Sequence, residues 1–175
     1  MRGFVAIELS EEFHQQVYSV QGQLREITRK ASITKPENIH LTLRFLGEIS
    51  KESAADFLCE LKRIRRAPFV IELERVGSFH RRGEDLVWLG IKPAAELDEL
   101  AGEILRIPVV GSERDRRSFR PHITIARRVR FGDPLDFERL MVHPVSMQVR
   151  QFTFFESRLR ARGAEHIPID SVKLM

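Results

Sequence analysis

The sequence predicts an α+β fold in which two lobes of mixed or antiparallel sheet, with helices packed outside, surround a central cleft. Three observations point there. Strand-like and helix-like apolar periodicities succeed one another along all 175 residues. The connections between them are short, which favours hairpins and antiparallel pairing. One strand-like tetrapeptide also occurs twice, as His40-Leu41-Thr42-Leu43 and, 82 residues later, as His122-Ile123-Thr124-Ile125. A copy in each half is what a duplicated ancestor would leave. No Gly-, Ser- or Pro-rich linker divides the halves, so residues 1–175 are expected to form a single two-lobed domain. An apolar content of 42% is enough to give it a real core.

Gly3 to Leu9 reads as a first strand. Ser10, with Glu11 and Glu12 behind it, has the form of a helix N-cap with acidic residues in the first turn. Phe13, Val17, Val20, Leu24 and Ile27 then step by four and three, one apolar helix face. A linker ending in Lys35-Pro36-Glu37 leads to a strand from Ile39 to Leu46, stopped by Gly47. Strict alternation puts Ile39, Leu41, Leu43 and Phe45 on one side and His40, Thr42 and Arg44 on the other.

Ser50 caps a second helix reaching about Arg65, and Pro68 precedes a strand from Phe69 to Val76. His80 to Asp85 reads as a turn into the strand Leu86–Ile91. A third helix follows from about Ala94 to Arg106 on Leu97, Leu100, Ala101 and Ile104. The Arg-loaded loop from Gly111 to Arg120 delivers the chain into a strand from His122 to about Arg128, with Pro121 setting an extended entry. A short helix near Pro134–Met141 and two strands, Val145–Arg158 and His166–Val172, close the chain.

The repeated tetrapeptide carries chemistry. On a strand, His and the Thr two positions on share a face roughly 6.8 Å apart, while the aliphatics point the other way. Two imidazoles and two hydroxyls across a cleft can hold a tetrahedral anion and move a proton on each side of it. Imidazole titrates near pH 6.5, so one ring can serve as acid and the other as base at neutrality. In phosphodiester cleavage one His would activate the attacking oxygen and the other protonate the departing one. Thr42 and Thr124 would donate to the non-bridging oxygens. The residues alone leave open which His is which. No metal is needed for this scheme, and no H-E-x-x-H or carboxylate cluster accompanies the pair. No cofactor is expected either.

Composition supports an anionic partner. The net charge is +4, with 23 Arg against 6 Lys, and Arg suits bidentate contact with phosphate. Seven Arg (114, 116, 117, 120, 127, 128 and 130) bracket the second His-Thr strand against one acid, Asp115. Arg127, just past that strand or at its turn, is the foremost phosphate-binding candidate, and Arg44 is a second. Phe79, Trp88 and Phe119 are candidates for stacking a base at the groove edge. His14, His80, His143 and His166 lack the Thr and read as surface or turn residues, with His80 set apart by its neighbours Arg81 and Arg82. A single cysteine, Cys59, excludes an internal disulfide and a multi-Cys zinc site, which suits a reducing cytoplasm. The N-terminus lacks a secretory apolar region, and no run is long enough to cross a membrane.

Pro36-Glu37-Asn38-Ile39-His40-Leu41-Thr42-Leu43-Arg44-Phe45-Leu46-Gly47 and Phe119-Arg120-Pro121-His122-Ile123-Thr124-Ile125-Ala126-Arg127 resemble the signature blocks of the two-histidine phosphoesterase superfamily. Within it they are similar to the bacterial and archaeal RNA 2′,3′-cyclic phosphodiesterases, historically called 2′-5′ RNA ligases. The Phe4-Val5-Ala6-Ile7 strand is similar too. The resemblance covers nearly the whole chain and implies a bilobal α+β fold with both His-x-Thr strands lining the cleft. It implies His40 as general acid to the leaving 3′ oxygen and His122 as the group that activates water. Thr42, Thr124 and Arg127 are then the phosphate-holding residues. The implied reaction opens a terminal 2′,3′-cyclic phosphate to a 2′-phosphomonoester, with reversible 2′-5′ ligation of tRNA halves behind the older name. RNA ends or cyclic nucleotides are the expected substrates of a monomer without an obligate protein partner. From Gly77 to Trp88 the chain departs from the family's usual Pro-containing approach. A non-catalytic RNA or nucleotide binder using the same groove is the alternative.

Overall fold

Two antiparallel sheets with helices on their outer faces make up the computed structural model, which describes residues 1–112, 119–161 and 163–175. The chain runs β1 (Arg2–Ile7), α1 (Glu11–Ile27), β2 (Thr28–Ile33), β3 (Leu41–Glu48), α2 (Lys51–Leu61), β4 (Phe69–Arg81), β5 (Glu84–Ile91) and α3 (Ala95–Arg106). It continues through β6 (His122–Phe131), β7 (Ser146–Val149), β8 (Gln151–Arg160) and β9 (Gly163–Lys173). A four-stranded sheet has the order β3-β1-β8-β9, and a five-stranded sheet the order β2-β6-β5-β4-β7. The predicted α+β class with outer helices holds.

The two sheets are not the two halves of the sequence. The segment expected as one strand, Val145–Arg158, breaks at Arg150: β7 pairs with Phe69–Glu72 of β4, and β8 pairs with β1 and β9 in the other sheet. The four-stranded sheet thus joins both ends of the chain, while the five-stranded one takes its middle and β2. The stretch after α1, expected as a linker, forms β2 and pairs with β6. Its sequence Thr-Arg-Lys-Ala-Ser-Ile has few large apolar residues because it lies at the sheet edge and meets solvent.

Helix capping and apolar faces match the sequence well. Ser10 and Ser50 each accept a hydrogen bond from the backbone N–H three residues on, at 3.4 and 3.0 Å. Phe13, Val17, Val20 and Leu24 are buried on α1, and Leu97, Leu100, Ala101 and Ile104 on α3. These faces join one apolar cluster that includes Val5, Ile7, Leu41 and Phe154 of one sheet and Leu73, Val87 and Ile123 of the other. The short helix expected near Pro134–Met141 is a 3-10 turn over Pro134–Arg139.

Bulges correct the strand expectations. Gly47 does not stop β3; it sits inside the strand at φ 72, opposite Gly3, beside a shift in register. A second shift lies between Val5 and Ala6. That second shift skips Leu43 and reverses the predicted alternation beyond it, so Phe45 is half exposed and Leu46 is buried. β4 runs on to Arg81, and the turn shrinks to Arg82-Gly83, both at positive φ (53 and 76), as a two-residue hairpin of type I′ requires.

Candidate active site

β1 lies between β3 and β8, and its alternation divides the four-stranded sheet into two faces. Val5 and Ile7 point into the main core, whereas Phe4 and Ala6 form a separate apolar floor with Phe155. On that floor stands His40, one residue before β3. Its ring lies 4.9 Å from Phe4 at an interplanar angle of 30°, and Phe4 in turn stacks on Phe155 at 5.1 Å and 12°. The turn Pro36–Asn38 presents it: the imidazole donates to the Asn38 backbone carbonyl, and the Asn38 amide donates to Ala164 O at 3.0 Å. Thr42 lies two residues on, half buried, with Ala6 as its cross-strand partner.

Burial on an aromatic floor penalises the imidazolium, and nearby His166 and Arg127 add repulsion. Together they pull the His40 pKa down from 6.5 to about 3 against the opposing bond to Asn38. In the free protein His40 is therefore neutral. Arg127 reaches it from the other sheet. This arginine, expected just past the His-Thr strand or at its turn, lies within β6, and burial lowers its own pKa.

His122 begins β6, paired with Gly90, and Thr124 pairs with Trp88. The His122 Nδ1–H donates to Arg120 O at 2.7 Å, an arrangement that leaves Nε2 as a lone pair available for a proton. Both motif histidines thus hydrogen-bond to the backbone two residues upstream. Phe79 stands perpendicular to His122 at 5.5 Å, and Trp88 lies 6.3 Å away. The Trp88 indole lies across Gly77, where an added Cβ would overlap the ring, so a glycine at 77 is what admits it. Arg75 covers the Trp88 ring at 5.8 Å. β3 and β6 also touch one another directly.

The remaining candidates sort themselves. Arg44 leaves the site: the β3 bulges turn it into the core face, where it lies over Phe57 and donates to Ile104 O and Ile107 O, both at 2.7 Å. Phe119 packs against the core, whereas Phe79 and Trp88 flank His122. His80 pairs with Asp85 at 3.3 Å on the hairpin. Cys59 is exposed on α2. Arg114, Arg116 and Arg117 lie outside the described residues. Among the described residues, no helix is long and apolar enough to cross a membrane.

Three contributors escape a reading of the sequence. Phe4 reads there only as part of a strand, yet it is the centre of the floor. His166 is not a surface or turn residue: β9 holds it against His40, with ring centroids 5.1 Å apart at 70°. Gln21 is buried on α1 and donates to Thr34 O and Ile125 O at 2.9 and 3.0 Å. Ile125 lies at the irregularity in β6 between Thr124 and Ala126, so Gln21 braces that bend. Its signal is a lone amide inside the apolar stripe Val17-Val20-Gln21-Leu24.

The geometry coincides with a known lineage. An RNA 2′,3′-cyclic phosphodiesterase of Archaeoglobus fulgidus is 32% identical over 93% of this chain and 94% of its own length. The model of the family described as LigT like Phosphoesterase matches residues 7–88. The chain belongs to the LigT-like phosphoesterases. Among solved members of this fold, a protein of Thermus thermophilus superposes with a TM-score of 0.80 at 28% identity, covering 99% of this chain and 98% of its own. Escherichia coli LigT complexed with 3′-AMP gives 0.79 at 30% identity, with the same coverages. Such agreement over both sheets means that the interleaved topology is the phosphoesterase one.

Proposed function

We propose that the chain hydrolyses 2′,3′-cyclic phosphate at RNA ends or in cyclic nucleotides, with His40 and His122 as the acid–base pair on one phosphate. The observation that carries this reading is the direct contact of β3 with β6, the strands that follow His40 and begin at His122, and Arg127 of β6 opposes the charge of His40. This favours one phosphate site shared by both motifs. The relatives named RNA 2′,3′-cyclic phosphodiesterase supply the substrate class.

In this mechanism Arg127, Thr42 and Thr124 hold the non-bridging oxygens. His122, with Nδ1–H tied to Arg120 O, takes a proton from water at Nε2 as the water oxygen bonds to phosphorus. The bond from phosphorus to O3′ breaks, and His40 delivers a proton to that oxygen, leaving a 2′-phosphomonoester. His40 is neutral before binding, so it acquires its proton as the anionic substrate enters and offsets the cations around it. A ribose hydroxyl in place of water would make a 2′-5′ linkage by the same displacement. We take the enzyme to act as a monomer in the cytoplasm, a compartment that suits one cysteine.

Incubation with 2′,3′-cyclic AMP should release 2′-AMP. His40→Ala and His122→Ala should each lower kcat by roughly a thousandfold or more while the melting temperature stays near that of the parent. Near-normal rates in both variants would remove the assignment. Salt-sensitive RNA binding without turnover would leave a binding module in its place.

A further inference from the structure

His166 belongs to neither motif, yet it and His40 line the same cavity of about 240 Å³, together with Glu8, His14, Glu37 and Phe155. Its ring stands edge-on to both neighbours, 5.1 Å from His40 at 70° and 4.7 Å from Phe4 at 67°. That packing encloses Nδ1, which has no hydrogen-bond partner among the described residues. Burial also disfavours the imidazolium. In its neutral form an imidazole has one N–H and one lone pair. An orphaned buried N–H is the rarer and costlier state, so the lone pair sits on the enclosed Nδ1 and the proton on Nε2. Nε2–H is then a donor on a ring that lines the cavity beside His40. Glu8 Oε2 accepts from Thr153 Oγ1 at 2.9 Å.

We propose that His166 is a third substrate-contacting histidine, donating from Nε2 to an oxygen of the ribose cyclic phosphate on the side that His40 faces. The assignment rests on the reading of His40 as a substrate-contacting residue. It gives the four-stranded sheet two donors on one ligand edge, and it explains why an imidazole, with one apolar flank and one polar tip, stands at this point of β9.

Two substitutions separate a donor from a packing ring. His166→Gln keeps an amide N–H near Nε2 and loses the aromatic contact, whereas His166→Phe keeps the ring against Phe4 and loses the donor. With 2′,3′-cyclic AMP as substrate, His166→Phe should lose roughly 10- to 100-fold in kcat/KM and His166→Gln only a few-fold. Equal losses, or a His166→Phe variant near the parent, would overturn the proposal. Should the Phe variant fail to fold, long-range ¹H–¹⁵N spectra of the parent decide: a proton on Nε2 of His166 is expected, and a proton on Nδ1 contradicts it. His40→Ala is the control for the underlying reading. If it stays active, the proposed reaction is wrong; if it is inactive and His166→Phe is not impaired, only the role of His166 falls.

Discussion

His40 sits where its own charge is opposed, by the Phe4 floor, by His166 and by Arg127. A histidine whose folded pKa lies below its unfolded one contributes stability that is complete above pH 6.5. That contribution is lost as the pH falls toward about 3, because the unfolded chain takes up the proton first. Between pH 6.5 and 5.5 this group should cost the fold about 1 kcal/mol. Urea unfolding of the parent and of His40→Gln at the two pH values checks it: the variant should lose less stability on acidification. An equal loss would show that the ring is solvated. The residue identities were legible in the sequence, since His40, Thr42, His122 and Thr124 announce themselves by repetition. His166 was not, because its only signature is a contact with a residue 126 positions earlier.

At the level of single elements, irregularities decide which side chains serve the cleft. Strict alternation assigns Arg44 to the face of His40, and the bulge opposite Val5 and Ala6 sends it to the C-terminus of α3 instead. There it satisfies two carbonyls that a helix end leaves unpaired. Arg44→Met should therefore destabilise the protein by about 2–3 kcal/mol through those charged hydrogen bonds. Activity per folded molecule should stay near that of the parent, measured by thermal melting and by initial rates below the transition. A second element-level dependence lies at Gly77. Its missing Cβ is the seat of the Trp88 ring, so Gly77→Ala should force the indole off the sheet at a cost of about 1–3 kcal/mol. Because Trp88 flanks His122, kcat should fall in the same variant. A crystal structure of the variant with Trp88 unmoved would contradict this.

On the scale of the whole molecule, each sheet needs distant parts of the chain. The four-stranded sheet closes only when β8 and β9 return to β1, and β7 must leave for the five-stranded sheet just before they do. One apolar cluster spans both sheets. The two lobes should accordingly unfold together. The fluorescence of Trp88, the chain's one tryptophan, reports on the five-stranded sheet, and far-ultraviolet dichroism reports on both. Their urea transitions should coincide, and two separated midpoints would show independent lobes. The local sequence settled the helix caps, the apolar helix faces and the twin His-x-Thr strands, because those depend on neighbours three or four positions away or on alternation. Only the tertiary structure decided that β2 exists at an edge, that Val145–Arg158 splits between sheets, and that Arg127 and His166 converge on His40. The physical reason is that strand pairing and bulges answer to partners far along the chain, which set the facing of every side chain beyond them.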